Sequence, residues 1–332
     1  MFKESKLPVL SKYYLYSLDR IYILNILLIP LSIIYFFINL IRRVLFSNNK
    51  INTIPVIVIG NLTVGGTGKT SLVIWLCNHL TSRKYKIGVI SGGYKTNNPY
   101  DLQIVGDGAK VEDVGDEAIL IKKSSKAIVC KCKDRKKAYE YLVKQFDLDI
   151  IISDDGLSHY NLKRDLNLVI VKENRPFGNG LLLPAGPLRE PPSSIKRYEN
   201  VIVNKNKKSN LLGFSYDLSV VKDSTNTKEV DIYDISGTTM HLVTAIANPE
   251  LLIKYLNRLN IDLITHIYPD HYIFQEDDFK FEDDYKIIMT EKDFVKASKY
   301  SLKNTYYLPT KINVDNDIKI MLNDKITELL KV

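Results

Sequence analysis

The stretch Gly60-Asn-Leu-Thr-Val-Gly-Gly-Thr-Gly-Lys-Thr-Ser71 follows the apolar run Ile54-Pro-Val-Ile-Val-Ile59 and leads into Leu72-Val-Ile-Trp-Leu76. A strand, a glycine-rich turn and a helix start, in that order, are the parts of a phosphate-binding loop. Such a loop needs free backbone N–H groups, a helix N-terminus and a cation. Gly65, Gly66 and Gly68 free the backbone to wrap an anion. Lys69 can reach the β- and γ-phosphates of a nucleotide, and the Thr70 hydroxyl is placed to ligate Mg²⁺. Thr63, Thr67 and Ser71 complete the expected nucleotide contacts. The spacing departs from G-x-x-x-x-G-K-[ST] at one position, where Thr63 replaces the first glycine. A small residue at the loop entry can turn the chain without glycine's torsions.

A nucleotide site also needs an apolar strand ending in an acid, and Asp149-Ile-Ile-Ile-Ser-Asp154-Asp155-Gly156 supplies it. Asp154 or Asp155 is expected to hold Mg²⁺ directly or through water. Arg189 and Glu190 follow the stiff Pro184-Ala-Gly-Pro187 turn and can present a cation and an acid to substrate or nucleotide. His159 can orient the Asp-Asp turn or cap it. Ile202-Val-Asn204-Lys205-Asn206-Lys207 approaches the guanine-binding N-K-x-D pattern. Lys207 stands in the place of the carboxylate, and an ammonium cannot accept from guanine's donors. ATP is therefore the expected nucleotide.

The elements that must position these residues alternate. Strands are expected at Ile54–Ile59, Lys86–Ser91, Ala127–Lys131, Leu148–Ser153, Leu166–Val171 and Asn200–Asn204. Helices are expected at Lys69–Arg83, Asp116–Ser124 and Lys133–Phe146. Short, nearly all-apolar strands separated by helices indicate a parallel sheet covered on both faces. The fold class is α/β, a doubly wound P-loop NTPase-like domain. Asp154 and Asp155 then fall at the crevice where such sheets bind ligands. Beyond Lys205-Asn-Lys-Lys208 the rhythm changes. Phe214–Val221 and Glu229–Ile235 read as paired strands, and Met240–Ala247, Ile261–Tyr268 and Tyr285–Thr290 as further strands around a helix Pro249–Leu259. The expected organisation is an N-terminal segment 1–46, a kinase-like domain 47–206 and a smaller α/β domain 207–332. The last helix, Ile318–Leu330, is a candidate to return to the first domain.

Composition narrows the setting. The 332 residues are 45% apolar, enough for a sizeable core, and 46 Lys+Arg against 38 Asp+Glu give a net charge of +8. That balance favours acidic partners such as phosphates or membrane headgroups. Three cysteines, Cys77, Cys130 and Cys132, are too few for a disulfide framework, and Cys130-Lys-Cys132 lacks the second pair of a metal site. From Ile21 to Ile41 there are 21 residues without a charged side chain, long enough to cross a bilayer or lie in its interface. Pro30, Asn25, Ser32 and Asn39 interrupt the run. Arg42 and Arg43 follow it, and by the positive-inside tendency they keep the following domain cytoplasmic. Lys3, Lys6, Lys12 and Arg20 can hold anionic headgroups, and 47–50 reads as a polar linker.

With the loop, the Asp-Asp-Gly strand and the hydrophobic N-terminus together, the chain resembles the tetraacyldisaccharide 4′-kinases, the lipid A 4′-kinase family. The motifs that carry the resemblance are the loop Gly60 to Thr70, Val114-Gly-Asp116-Glu117, Asp154-Asp-Gly-Leu-Ser-His159 and Phe177-Gly-Asn-Gly. Leu183-Pro-Ala-Gly-Pro-Leu-Arg189-Glu190, Tyr268-Pro-Asp-His271 and Thr290-Glu-Lys-Asp293 continue it. The family's own loop carries Ser or Thr where Thr63 stands. The resemblance implies ATP- and Mg²⁺-dependent phosphorylation of the 4′-hydroxyl of a tetraacylated glucosamine disaccharide 1-phosphate. It also implies work at the cytoplasmic face of the bacterial inner membrane, with the acylated disaccharide and the bilayer as partners and no nucleic acid. Asp116 is expected to take the sugar hydroxyl's proton, with His271 orienting it and Lys69 supplying charge. Glu117 joins Thr70, Asp154 and Asp155 in the expected metal set, and Arg189, Glu190 and His159 face substrate. Two departures stand out: Ser91-Gly92-Gly93-Tyr94 lacks the family's arginine at position 92, leaving Lys95 to cover it, and Ser158 replaces an amide. A membrane-bound ATP switch controlling a protein partner is the alternative reading, separable by whether ATP turnover depends on an acceptor lipid.

Overall fold

The computed structural model describes residues 21–46, 52–94, 96–300 and 302–331. The basic residues Lys3, Lys6, Lys12 and Arg20, the linker 47–50 and Lys95 lie outside them. The chain divides into two compact units, one reaching Ser215 and resuming at Ile312, the other Tyr216–Lys311.

The first unit opens with α1 (Ile23–Leu45) and strand β1 (Val56–Asn61), whose six residues are all buried. Helix α2 (Lys69–Ser82) follows, then β2 (Ile87–Ser91), the short β3 (Gln103–Ile104), and the helices α3 (Val111–Val114) and α4 (Asp116–Ser124). Next come β4 (Ile128–Lys131), α5 (Arg135–Gln145), β5 (Ile150–Asp154), β6 (Leu166–Lys172), β7 (Asn200–Asn204) and β8 (Gly213–Tyr216). They form one sheet in the order β3-β4-β2-β5-β1-β6-β7-β8, completed at the far edge by Ile312–Val314. Pairing is parallel from β4 through β8, while β3 runs antiparallel to its neighbour β4. β1 sits between β5 and β6, so chain direction along the sheet reverses there, and its C-terminal end opens the crevice. Val58, Ile90, Leu142, Ile151 and Val169 share the core beneath it. The unbroken burial of β1, β2 and β5 is why these strands read as apolar runs rather than alternating ones.

The second unit carries β9 (Val220–Asp223), β10 (Glu229–Asp231), β11 (Thr239–Thr244), β12 (Asp262–Ile267), β13 (Lys286–Thr290) and β14 (Thr305–Leu308). Their order is β10-β9-β14-β13-β11-β12, with α6 (Glu250–Arg258) and α7 (Glu291–Ala297) alongside. The expected single strand Phe214–Val221 is two strands in two sheets. Asp217 accepts hydrogen bonds from the N–H and hydroxyl of Ser219, a local turn that breaks the apolar run. Glu229–Ile235 likewise is a strand only to Asp231 and then a 3-10 turn. Helix α8 (Asn316–Leu330) belongs to the first unit, where His79 Nε2 and Asn323 Oδ1 lie 2.9 Å apart.

α1 is inverted relative to a helix of a soluble protein. Its buried residues are Asn25 and Ser32, while Ile23, Leu27, Leu31, Ile34, Phe37, Ile41 and Leu45 are exposed. By length and composition this helix is apolar enough to cross a membrane.

Candidate active site

The phosphate loop is built by its neighbours as much as by its glycines. Gly65 (φ 99°) and Gly68 (φ 92°) hold left-handed torsions that a side chain would resist. A Cβ at Gly65 or Gly66 would meet nothing within 4 Å, so the space over the loop is open. Gly68 caps α2 without any side-chain hydrogen bond, and the positive end of the helix suits an anion there. Thr63 needs no glycine because it forms an antiparallel bridge with Leu188. Val64 N donates to Pro187 O at 2.8 Å, and Arg189 N to Leu62 O at 2.7 Å. The Leu-Pro-Ala-Gly-Pro-Leu-Arg segment is thus a strut against the loop entry.

Charged groups converge above it. Lys69 Nζ donates to Asn61 Oδ1 at 3.1 Å and lies 3.7 Å from Asp155 Oδ2. Arg189 Nη1 reaches Asp155 Oδ1 at 2.7 Å. Burial pushes the Asp155 carboxyl upward, but Lys69 and Arg189 outweigh it and hold the group below the usual carboxylate range. Asp155 itself adopts a left-handed φ of 52° directly after β5. Such strain is retained where the surroundings demand a particular aim. Asp154, the last residue of β5, is buried, and its Oδ1 has no hydrogen-bond partner. Burial first, and the negative charge of Glu117 second, raise its pKa.

Beneath this pair lies Arg135, 2% exposed, with Nη2 donating to Asp154 O at 2.6 Å and Nη1 to Cys132 O at 3.2 Å. Asp134 caps α5 by accepting from the amides of Lys136 and Lys137, which fixes Arg135 at the helix's first position. The Arg135 guanidinium occupies the space beside Gly92, 3.0 Å from where a Cβ would stand. A cation is therefore present next to position 92 from another element. At the foot of the loop, Asn204 Nδ2 donates to Thr67 O at 3.0 Å, while the Thr67 hydroxyl is buried with no partner. Thr70 sits in the first turn of α2, and Ser71 is buried beside it.

Asp116 begins α4 after Gly115, is 4% exposed, and accepts from the Glu117 amide at 2.9 Å. His159 is half-buried next to the Asp-Asp turn, and desolvation followed by the Arg135 charge lowers its pKa to about 4, so it is neutral at pH 7. Glu190 points away from Asp155: its carboxylate takes Tyr160, Tyr198 and Arg197. His271 stands in the second unit on the turn after β12, in a left-handed φ of 63°. Asp270 lies 3.6 Å from its Nε2 and 3.6 Å from Lys292. Among the described residues no three His, Cys, Asp or Glu side chains gather as a ready-made metal cage. The donors present do fit Mg²⁺, which takes one or two carboxylates together with phosphate oxygens and water. The unmatched, buried Oδ1 of Asp154 is such a donor.

The sequence matches the tetraacyldisaccharide-1-P 4′-kinase (LpxK) family over residues 24–327. The chain belongs to that family. A tetraacyldisaccharide 4′-kinase of Coxiella burnetii is 38% identical over 82% of this chain and 82% of its own. That of Ruthia magnifica is 35% identical over 92% and 98%, and that of Pseudoalteromonas translucida 37% over 91% and 94%. A crystal structure of LpxK from Aquifex aeolicus in complex with ATP superposes with a TM-score of 0.75 at 26% identity, covering 93% of this chain and all of that one.

Three groups in this LpxK-family chain escape a reading of the sequence. Asn61 lies inside the quoted loop, yet its contact with Lys69 shows only in three dimensions. Arg135 follows a helix cap with nothing else to mark it. Asn204 does stand out, as the near-miss to a guanine motif, but its work is to brace Thr67.

Proposed function

We infer that this chain is an ATP-dependent kinase that phosphorylates the 4′-hydroxyl of a tetraacylated glucosamine disaccharide 1-phosphate, giving the lipid A precursor. The observation that carries the reading is the meeting of Lys69 and Arg189 on Asp155 at an open phosphate loop. In the reaction the acceptor oxygen bonds to the γ-phosphorus as the bond from that phosphorus to the bridging oxygen breaks. ADP leaves, and the hydroxyl proton passes to Asp116. Phosphoryl transfer runs through a loose transition state, so the proton moves late and a positioned carboxylate suffices. Lys69 and Arg189 offset charge on the transferring group, and the amides at the start of α2 do the same for the β-phosphate. Mg²⁺ held by Thr70, Asp154, Asp155 and Glu117 would neutralise charge across the β- and γ-phosphates. His271, steadied by Asp270, orients Asp116 in the substrate complex. Neutral His159 offers a hydrogen bond to the sugar, and Glu190 holds the loop that carries Arg189.

The apolar surface of α1 seats the enzyme at the cytoplasmic face of the bacterial inner membrane, where an acylated acceptor resides. Arg42 and Arg43 in its last turn suit anionic headgroups on that side. Purified protein with ATP, Mg²⁺ and the disaccharide lipid should form the 4′-phosphorylated product, with ATP consumption dependent on the lipid. ATP hydrolysis indifferent to the acceptor would favour the switch reading instead. Flotation with anionic vesicles should persist in about 1 M salt, because apolar insertion is not screened. Release by salt would place the attachment on basic surface alone.

A further inference from the structure

We propose that α1 is part of the scaffold of the phosphate site, with Asn25 and Ser32 as positioning residues for the ATP loop. This rests on the kinase reading above. The two residues are seven apart, two helical turns, and so share one face. On a helix whose other side chains are largely exposed and apolar, they are 1% and 6% exposed. Asn39 continues the same line, and its amide nitrogen is also buried. Polar groups are not buried without partners at small cost. For Asn25 and Ser32 the partners are the backbone of a single turn, whereas Asn39 Nδ2 has none. Asn25 Nδ2 donates to Ala185 O at 2.7 Å, Ser32 Oγ donates to Leu182 O at 2.9 Å, and Ser32 Oγ accepts from Ala185 N at 3.1 Å.

That turn is the root of the strut that shapes the loop. Gly186 N returns to Leu182 O at 2.9 Å, and Leu183 N and Leu188 O close the next rung, also at 2.9 Å. From there Pro187 O takes the Val64 amide, Leu188 bridges Thr63, and Arg189 reaches Asp155. Every link from Asn25 to Lys69 is a named hydrogen bond, bridge or ion pair within one compact unit. One consequence follows. The helix that meets the lipid surface also sets the entry of the phosphate loop, so attachment and nucleotide affinity share one element.

The test uses the full-length protein and two variants, Asn25→Leu and Ser32→Ala, both of which make the helix more apolar. Vesicle flotation should be kept in each, while the KM for ATP rises about tenfold, the scale of a lost buried hydrogen bond. Amide exchange at Val64 should accelerate with exchange in β2 and β5 unchanged. Ser32→Thr, which keeps the hydroxyl, should restore both readings. Leu27→Ala and Phe37→Ala, on the exposed face, should leave the KM for ATP unaltered. Unchanged KM and unchanged Val64 exchange in both Asn25→Leu and Ser32→Ala would overturn the proposal. So would losses that track reduced flotation. If Asn25→Leu folds poorly, the milder pair Ser32→Ala and Ser32→Thr decides alone. Wild-type protein without acceptor-dependent turnover would defeat the kinase reading, whereas active wild type with equally active variants defeats only the positioning role.

Discussion

Replacing Asp154 by Asn should make the protein more stable and nearly inactive at once. The side chain is 2% exposed and its Oδ1 lacks a donor. Burial, and next the charge of Glu117, hold its pKa up at about 7 against an ordinary 3.8, with Lys69 pulling the other way. Between those values the folded protein keeps a proton that the unfolded chain has released. Stability therefore falls as pH rises through that window and stays low above it. At about 1.4 kcal/mol per pH unit the gap corresponds to at most about 4 kcal/mol. Relaxation of the surroundings and water penetration reduce this to about 1–3 kcal/mol, from which the amide's own burial cost is subtracted. Asp154→Asn should then raise the Tm by roughly 2–6 °C. Thermal unfolding without Mg²⁺ and nucleotide checks this, with the gain present near about pH 8 and fading toward about pH 4, as the linkage requires. Turnover with saturating ATP and Mg²⁺ should drop about 10²–10³-fold. A variant no more stable than wild type at about pH 8, and still active, would refute the buried, cation-seeking carboxylate.

Other outcomes follow from the same geometry. Lys69→Ala should cut turnover about 10²–10³-fold, and near-normal turnover would sink the phosphate-loop reading. Asn204→Leu removes the donor to Thr67 O, so the KM for ATP should rise about tenfold with the unfolding midpoint little changed; an unaltered KM would make that contact incidental. Asp116→Ala and His271→Ala should each lower kcat strongly, and the double variant should be little worse than the worse single. Fully multiplicative losses would show that the two act separately, and an unimpaired His271→Ala would remove it from the mechanism.

The fold class and family were legible in the sequence for physical reasons. A parallel strand buried on both faces is apolar along most of its length, and Val56–Asn61 and Ile150–Asp154, buried at every position, turn polar only at their C-terminal ends. A phosphate loop is contiguous, so the order of glycines, lysine and threonine reports it without knowledge of the rest. The short strands Gln103–Ile104 and Thr305–Leu308 escaped, as did the break at Asp217, because a turn made by one side chain leaves no period behind.

Tertiary structure alone decided how the site is held. Arg135 stands beside Gly92, Asn204 braces Thr67, and Glu190 turns to Tyr160, Tyr198 and Arg197. Asn25 and Ser32 read along the chain as interruptions of an apolar run. In the fold they are its docked face, bonded to a turn 160 and 150 residues further on. Most of these partners are backbone carbonyls and amides, which every residue carries alike. A sequence records side chains and their spacing, so bonds to distant backbone become visible only once packing has brought the two segments together.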